Sequence, residues 1–322
     1  MIRVGLIGSP ERAELQRLAL RLEERGADGV VFDSREEPAI RLSSSGEHLM
    51  GRDLRDFSAF YVSDLGLRPA AVRAPDGSLD RERSARFLRA SQRHLATWTA
   101  LFARLARRAR VVNPPRTWDL HGEKPFESAS LFRLGLRTPV TLATNDPALL
   151  CEPPIAVADG WVQKGLIGGY GYTRVFAPPP GVDEARAALG ASAALIQERV
   201  VGVNVRAYVV GGAVLGAAEI HASEGGEVDS RKNTGRVRRI VLPDGARELA
   251  ESVARHWGMG FAAVDFMRDE SSGAWSVLEC NSSPFFVEFE RATGLAVSSA
   301  LADHLTERRR AATTRAASSA PA

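Results

Sequence analysis

The stretch AWSVLECNSSPF, residues 274–285, begins as an apolar strand and ends on a carboxylate, a thiol and an amide. A second apolar run, FAAVDFMRD at residues 261–269, precedes it and is joined to it by the turn residues ESSG. If this hairpin folds about Ser272, Asp265 lies opposite Glu279, because both are seven positions from that centre. The sequence therefore predicts two carboxylates side by side on neighbouring strands.

Side chains alternate between the two faces of a strand, so the polar groups of the second strand can be assigned to a face. The predicted polar face carries Trp275, Val277, Glu279 and Asn281, and the opposite face carries Leu278 and Cys280. Three oxygen-bearing side chains, Asp265, Glu279 and Asn281, are then expected to converge.

Two carboxylates and an amide on an apolar hairpin repel one another or stay unpaired unless a positive group lies between them. Oxygen ligands without His or Cys favour Mg²⁺ or Mn²⁺ over Zn²⁺, and Mg²⁺ in such sites usually also binds nucleotide phosphates. We therefore predict a metal site at Asp265, Glu279 and Asn281. A carboxylate pair neutralised by an arginine is the alternative.

A glycine-rich stretch, VQKGLIGGYGYTRVF at residues 162–176, places Lys164 at the end of one strand, before Gly168, Gly169 and Gly171. Glycines allow backbone amides to approach phosphate oxygens closely, so this loop is a candidate nucleotide cover. It is not a Walker loop, because no Gly-Lys-Ser/Thr follows. It also differs from a protein-kinase loop, since the lysine precedes the glycines and no HRD sequence follows. A flexible hairpin tip is the structural alternative.

Composition excludes several classes of protein. The 322 residues are 44% hydrophobic and 25% charged, with a net charge of +3, so neither disorder nor nucleic-acid binding is indicated. The two cysteines, Cys151 and Cys280, form no CxxC or Cys/His cluster and suggest neither zinc nor a disulfide framework. The first fifteen residues contain no signal-peptide core or membrane span, and we expect a cytoplasmic protein.

Periodicity predicts an α/β protein. Strands at residues 2–7, 30–32 and 59–62 surround a helix with Leu15, Leu18 and Leu22 on one face. A long helix follows over residues 81–110, and the strand RVVNPP then marks a boundary. The predicted apolar face of the long helix carries Leu88, Leu95, Trp98, Phe102 and Leu105. Beyond a helix that ends at Gly135, the chain is rich in strands, and Gly211 and Gly212 indicate a hairpin.

The order of these motifs resembles the ATP-grasp superfamily and, within it, the RimK-like ligases of the alpha-L-glutamate type that join a carboxylate to an amine. The strings that carry the resemblance are VVNPP, EKPFESASLFRLGLRTPVT, VQKGLIGGYGYTRVF, LIQERVVGVNVRAYVVGG, SRKNTG, FAAVDFM and LECNSSP, within residues 111–305. The resemblance implies an ATP-grasp fold with an N-terminal Rossmann-like domain. The predicted division is a pre-ATP-grasp domain at 1–112, a central subdomain at 113–193, a C-terminal subdomain at 194–307 and a disordered tail at 308–322.

The resemblance also assigns roles to individual residues. Glu198 is expected to accept from the adenine amino group, since a buried glutamate there would otherwise lack a partner, and Asn204 is expected to contact the ribose. Arg206 resembles the family's phosphate or acyl-phosphate arginine, and Arg231 and Asn233 resemble its second transition-state and substrate contact. The full set of implied nucleotide contacts is Lys124, Lys164, Gly168, Gly169, Gly171, Gln197, Glu198, Arg199, Val200 and Asn204.

The implied activity is an ATP-dependent ligation through an acyl phosphate, with ATP and Mg²⁺ or Mn²⁺ as cofactors and ADP and phosphate as products. The acceptor can be a peptide, a protein or a metabolite, and the resemblance suggests a homo-oligomer. Phe285 and Phe286 replace the small residues usual in the family, so both are expected to make the acceptor pocket bulkier. Two alternatives stay open: a non-catalytic ATP-binding sensor or scaffold, and a small-molecule kinase.

Overall fold

The computed structural model describes residues 1–35, 39–44, 46–66, 80–166, 173–189, 192–221 and 236–307. The strands are β1 (Arg3–Gly8), β2 (Asp28–Asp33), β3 (Ile40–Ser43), β4 (Gly46–Leu49), β5 (Arg52–Asp53), β6 (Ala59–Val62), β7 (Arg110–Val112), β8 (Thr141–Thr144), β9 (Trp161–Lys164), β10 (Arg174–Phe176), β11 (Ala194–Glu198), β12 (Gly202–Val210), β13 (Ala213–Ile220), β14 (Val237–Ile240), β15 (Phe261–Asp269) and β16 (Trp275–Asn281). The helices are α1 (Ala13–Glu23), α2 (Arg81–Leu105), α3 (Lys124–Arg133), α4 (Pro147–Cys151), α5 (Val182–Leu189), α6 (Asp244–Trp257), α7 (Val287–Thr293) and α8 (Val297–Thr306).

The N-terminal segment is an α/β unit built on a parallel sheet in the order β2-β1-β6-β7. The predicted first helix is confirmed: Leu15, Leu18 and Leu22 are fully buried, and the chain turns after α1 at Gly26, whose φ of 66° suits glycine. Because the strands are parallel, their carboxyl ends meet at one edge, where residues following β1 and β6 come together.

Helix α2 packs against the same sheet through its second half. Trp98, Phe102 and Leu105 are fully buried in a cluster with Phe60, as the periodicity predicts. Leu88 is an exception, because it lies in the first half of the helix and is 62% exposed. In the part of the chain that the structure describes, none of the helices combines the length and apolar character needed to cross a bilayer.

The central segment has its own antiparallel sheet, in the order β10-β9-β11-β8, and its own small core around Trp161 and Ile196. Strand β11 completes this sheet, although the predicted division groups residues 194–307 with the C-terminal subdomain. The chain crosses to the next sheet only after Glu198. The other predicted limits between domains stay a prediction.

The C-terminal segment is an antiparallel sheet in the order β14-β13-β12-β15-β16. Helix α6 covers one face of this sheet through Ala250, Val253 and Ala254. At the end of the sheet, the other face packs on the N-terminal segment, where Tyr208 and Phe261 share one core with residues of β1 and β6. The rest of that face is open and carries the site.

Candidate active site

A cavity of about 850 Å³ lies where the three segments meet. Every predicted site residue within the described ranges lines it. These residues are Lys124, Lys164, Gln197, Glu198, Arg199, Val200, Asn204, Arg206, Asp265, Glu279 and Asn281. The remaining predicted residues, Gly168, Gly169, Gly171, Arg231 and Asn233, lie outside the described residues.

The floor of the cavity carries paired charges from three strands. Asp265 is directly opposite Glu279, as the hairpin arithmetic predicts, and on its other side it is opposite Arg206 of β12. Arg206 Nε and Nη2 donate to the two oxygens of Asp265 at 2.7 and 2.8 Å. Lys124 Nζ, at the start of α3, lies 3.1 Å from Glu279 Oε2. Positive and negative side chains therefore alternate across the floor of the cavity.

These contacts correct one step of the sequence reasoning. Without a bound cation the carboxylates were expected to repel or stay unpaired, but Arg206 neutralises Asp265 and Lys124 neutralises Glu279. Asn281 Nδ2 donates to Asp265 Oδ2 at 3.0 Å and reaches Glu279 Oε1 at 3.4 Å. The convergence of the three side chains is confirmed, and the arginine alternative describes the contacts of Asp265.

The predicted alternation along β16 is wrong at Trp275, Val277 and Leu278, because Trp275 packs on the core side against Phe266. The register of β15 and β16 shifts between Asp265 and Phe266, so Phe266 is opposite Val277 and not Leu278. Val277 consequently packs in the core with Cys280, and Leu278 lines the cavity beside Glu279. A β-bulge places one extra residue on the bulged strand, which a strict period of two does not anticipate.

The same three side chains fit a hard divalent cation in their donor chemistry. Two carboxylates and a carboxamide are oxygen donors, and rotating the Asn281 amide turns its oxygen toward the carboxylates. Among the described residues, no three His, Cys, Asp or Glu side chains are grouped closely enough to hold a metal ion together. A site here therefore depends on the amide and on displacement of Lys124 or Asn281 Nδ2 from the carboxylates.

Buried charges around the floor have shifted pKa values. Burial lowers the pKa of Lys164, although Glu279 opposes this shift. Burial raises the pKa of Glu127, and the nearby charge of Glu279 adds to the effect, so the value reaches about 8. Glu127 Oε1 accepts from the backbone N–H of Cys280, which lies between two of the predicted metal ligands.

One wall of the cavity is the end of β11 and the residues after it. The Glu198 carboxylate is half-buried and accepts from the backbone N–H of Val140 at 3.0 Å. The expectation that it would lack a protein partner is therefore wrong. Gln197 is buried and donates to Thr141 Oγ1 at 2.9 Å. Gln197 thus ties β11 to β8 and Glu198 ties it to the residue before β8, and both residues line the cavity.

The opposite wall comes from the N-terminal segment, and the sequence reasoning missed it. Its polar members are Arg12, Ser63 and Asp64, and α2 adds Phe87, Ser91, His94 and Leu95. A signal was present, because Ser63 and Asp64 directly follow β6, and ligands bind beyond the carboxyl ends of parallel strands.

The two aromatic residues after β16 lie in different surroundings. Phe286 is fully buried in the core, and of the two only Phe285 lines the cavity.

Comparison with known proteins finds a family match in the C-terminal part of the chain. Residues 182–305 match the family model described as the RimK-like ATP-grasp domain. This segment is therefore similar to a RimK-like ATP-grasp domain. Among curated relatives, a probable alpha-L-glutamate ligase of Parasynechococcus marenigrum (strain WH8102) is 31% identical over 193 residues, covering 57% of this chain and 41% of that protein.

A second relative, the probable alpha-L-glutamate ligase of Aliivibrio fischeri (strain MJ11), is 31% identical over 104 residues. That match covers 32% of this chain and 34% of the relative. The chain thus spans well under half the length of these curated relatives. The similarity does not extend over the whole sequences of these relatives.

Solved structures resemble nearly the whole chain. The ATP-grasp ligase PsnB complexed with minimal precursor has a TM-score of 0.78 and 27% identity, and the match covers 95% of this chain and 99% of PsnB. The macrocyclase MdnC of Microcystis aeruginosa MRC, bound with precursor peptide MdnA, has a TM-score of 0.68. At 18% identity over 94% of this chain and 99% of that one, this likeness concerns the fold alone. The fold class predicted from the sequence, ATP-grasp, is confirmed.

Proposed function

We propose that the protein is an ATP-dependent ligase that joins a carboxylate to an amine. The observation that carries this proposal is the cavity, where every described residue of the predicted nucleotide, metal and catalytic sets meets on one surface. The ligases among its relatives and structural neighbours support the same reaction type.

The reaction would run in two balanced steps. A carboxylate oxygen of the acid attacks the γ-phosphorus of ATP, the bond to the β,γ-bridging oxygen breaks, and acyl phosphate and ADP form. The amine nitrogen then attacks the acyl carbon, the carbon–oxygen bond to phosphate breaks, and an amide, phosphate and a proton are released. Neither step requires a protein nucleophile, since phosphoryl transfer depends on positioning and charge neutralisation.

The chain's own residues supply that neutralisation. Lys124, Lys164 and Arg206 place three positive charges around one part of the cavity. Each contact of this type to a developing negative charge contributes roughly 3 kcal/mol to catalysis. Asn204 faces the same cavity from β12, where we assign it to the ribose. The Arg206 guanidinium is held by Asp265, so it is positioned before substrate arrives.

We assign a divalent cation to Asp265, Glu279 and Asn281, with Mg²⁺ as the first choice and Mn²⁺ as the second. Bound there, the ion would neutralise phosphate oxygens of the nucleotide. Structural neighbours solved with Mg and ADP or with AMPPNP support this assignment. Lys124 would then exchange its partner, Glu279, for a phosphate group.

We further propose a peptide as one of the two substrates. Complexes of PsnB with its precursor peptide PsnA2 and with a minimal precursor cover 94–95% of this chain at 26–27% identity. The glutamate ligases among the relatives support an acidic amino acid as the alternative substrate. Both cysteines are free, which agrees with the reducing cytoplasm as the proposed location.

The test measures ADP release from Mg·ATP with an acid alone, an amine alone and both, using L-glutamate and glutamate-containing peptides as probes. A ligase releases little ADP unless both are present, and hydroxylamine in place of the amine gives a hydroxamate. Arg206→Gln should abolish the hydroxamate, whereas Arg239→Gln, an exposed arginine on β14 outside the cavity, should not.

Other outcomes identify the competing functions. A kinase releases ADP with one substrate and gives a phosphorylated product that hydroxylamine does not trap. A sensor or scaffold binds Mg·ATP without release of ADP under any of these conditions. Unchanged ADP release in Glu279→Gln would show that the proposed metal site is misassigned.

A further inference from the structure

In the cavity, an exposed aromatic ring of the C-terminal segment is stacked on a guanidinium of the N-terminal wall. Phe285 is 67% exposed, although it follows a buried strand, and its ring centroid lies 4.4 Å from Arg12 Cζ. Both side chains line the cavity. Stacking uses the face of the guanidinium and leaves its in-plane N–H groups available. An exposed ring inside a concave site is a surface on which a ligand can pack.

This pair is held rigidly from both segments. Arg12 Nη1 donates to the carbonyl oxygen of Ser63 at 2.9 Å and to Asp64 Oδ2 at 3.2 Å. The same Ser63 carbonyl accepts from Ser283 Oγ at 2.6 Å, two residues before Phe285. One backbone carbonyl therefore fixes the arginine and the aromatic loop relative to each other, so the geometry exists before any ligand binds.

The donors of Arg12 are only partly used. Its Nε lies 3.8 Å from Glu14 Oε2 but makes no hydrogen bond, and within the described residues Nη2 makes none either. A guanidinium has five N–H donors, so Arg12 retains donors for an anionic group. Arg206, in contrast, already gives Nε and Nη2 to Asp265.

The two arginines flank the same loop. The hydroxyl of Tyr208, two residues after Arg206 on β12, donates to the carbonyl oxygen of Phe285. Arg206 and Tyr208 are two positions apart on β12, so their side chains project from the same face of that strand. Tyr208 thus joins the loop that carries Phe285 to the strand that carries Arg206, and Phe285 and Arg206 line the same cavity.

We propose that Arg12 and Phe285 form the subsite that selects the acid substrate. Arg12 Nη2 donates to the carboxylate, and the Phe285 ring contacts an apolar residue next to it in the substrate. The inference rests on the proposed function, because the carboxylate is that of the ligation. It predicts a preference for an acidic side chain beside a large apolar one.

Calorimetry with short peptides tests this subsite without relying on turnover. The probes are blocked pentapeptides, acetyl-Gly-Leu-Glu-Gly-Gly-amide, its glutamine counterpart and a version with glycine in place of leucine, titrated with Mg²⁺ and AMPPNP present. We expect the glutamate peptide to bind at least about tenfold more tightly than the glutamine peptide, as a charge-assisted hydrogen bond gives.

The variants assign this preference to residues. Arg12→Gln should reduce the glutamate-to-glutamine ratio to about one while leaving AMPPNP binding intact. Phe285→Ala should weaken only the leucine-containing peptides. Arg17→Gln is the matched control, because Arg17 lies on α1 outside the cavity, paired with Glu290 at 3.5 Å. Its ratio should equal that of the wild type.

Three results overturn the subsite: no discrimination by the wild type, an unchanged ratio in Arg12→Gln, or equal weakening in Arg17→Gln. If Arg12→Gln does not fold, Arg12→Lys takes its place, since a lysine cannot hold Ser63, Asp64 and a ligand together, and an unchanged ratio again overturns the proposal. Discrimination without ADP release upholds the subsite and rejects the ligase. ADP release with an unaltered KM for the glutamate peptide in Arg12→Gln supports the ligase and rejects the subsite.

Discussion

Replacing Glu127 by glutamine is expected to stabilise the protein, and to do so more strongly as the pH rises. Glu127 lies on α3, only 4% exposed, and its Oε1 accepts from the backbone N–H of Cys280. Burial, together with the charge of Glu279, raises its pKa from 4.5 to about 8. Glutamine keeps the acceptor oxygen and resembles the protonated acid, but it never ionises.

The sign and size follow from proton linkage. The folded-state pKa lies above the unfolded value, so the stability that Glu127 contributes is complete below pH 4.5 and is lost as the pH rises toward about 8. At about 1.4 kcal/mol per unit of pH, the loss amounts to roughly 3 kcal/mol at pH 7. The variant avoids this loss because its side chain has no proton to release.

Urea unfolding followed by tryptophan fluorescence at pH 5, 6, 7 and 8 measures the effect. The difference in free energy of unfolding between Glu127→Gln and the wild type should be small at pH 5 and grow to roughly 3 kcal/mol at pH 7. Glu248→Gln, an exposed carboxylate on α6, provides the baseline. The reasoning is refuted if this difference in free energy of unfolding stays constant with pH. It is also refuted if the wild type becomes more stable relative to the variant as the pH rises.

Three further changes test other parts of the structure. Asn113→Ala removes the amide that accepts from the N–H groups of Gly260 and Phe261 and donates to the carbonyl of Ser282, so we expect a loss of about 3 kcal/mol in urea unfolding; a loss under about 1 kcal/mol contradicts this. Gly202→Ala would place a Cβ 2.0 Å from a backbone carbonyl oxygen of β15, and the melting temperature should fall by several degrees; an unchanged value is the contrary result. Burial lowers the pKa of His304 below 6.5, so its contribution is present above that pH, and the wild type should lose stability relative to His304→Asn as the pH falls below 6.5; parallel pH curves would rule this out.

Local patterns were sufficient for most elements of the fold. The helix α1, the hairpin turn at Gly211 and Gly212, and the pairing of Asp265 with Glu279 all depend on residues near in sequence. Periodicity and turn chemistry express short-range geometry, which is why they predicted these features. They failed at Leu278, because a bulge arises from how two strands fit together and not from either strand alone.

The motifs and their order were enough to predict the class of the fold, and eleven of the residues that they singled out line one cavity. The partner of each charged side chain, in contrast, could not be predicted without the three-dimensional arrangement of the strands. Arg206 and Asp265 are far apart in the chain and meet because β12 and β15 pair, and Arg12 meets Phe285 because the N-terminal sheet shares a core with the last one. Coulomb and hydrogen-bond energies depend on distances in space, so contacts between such remote segments are decided by packing.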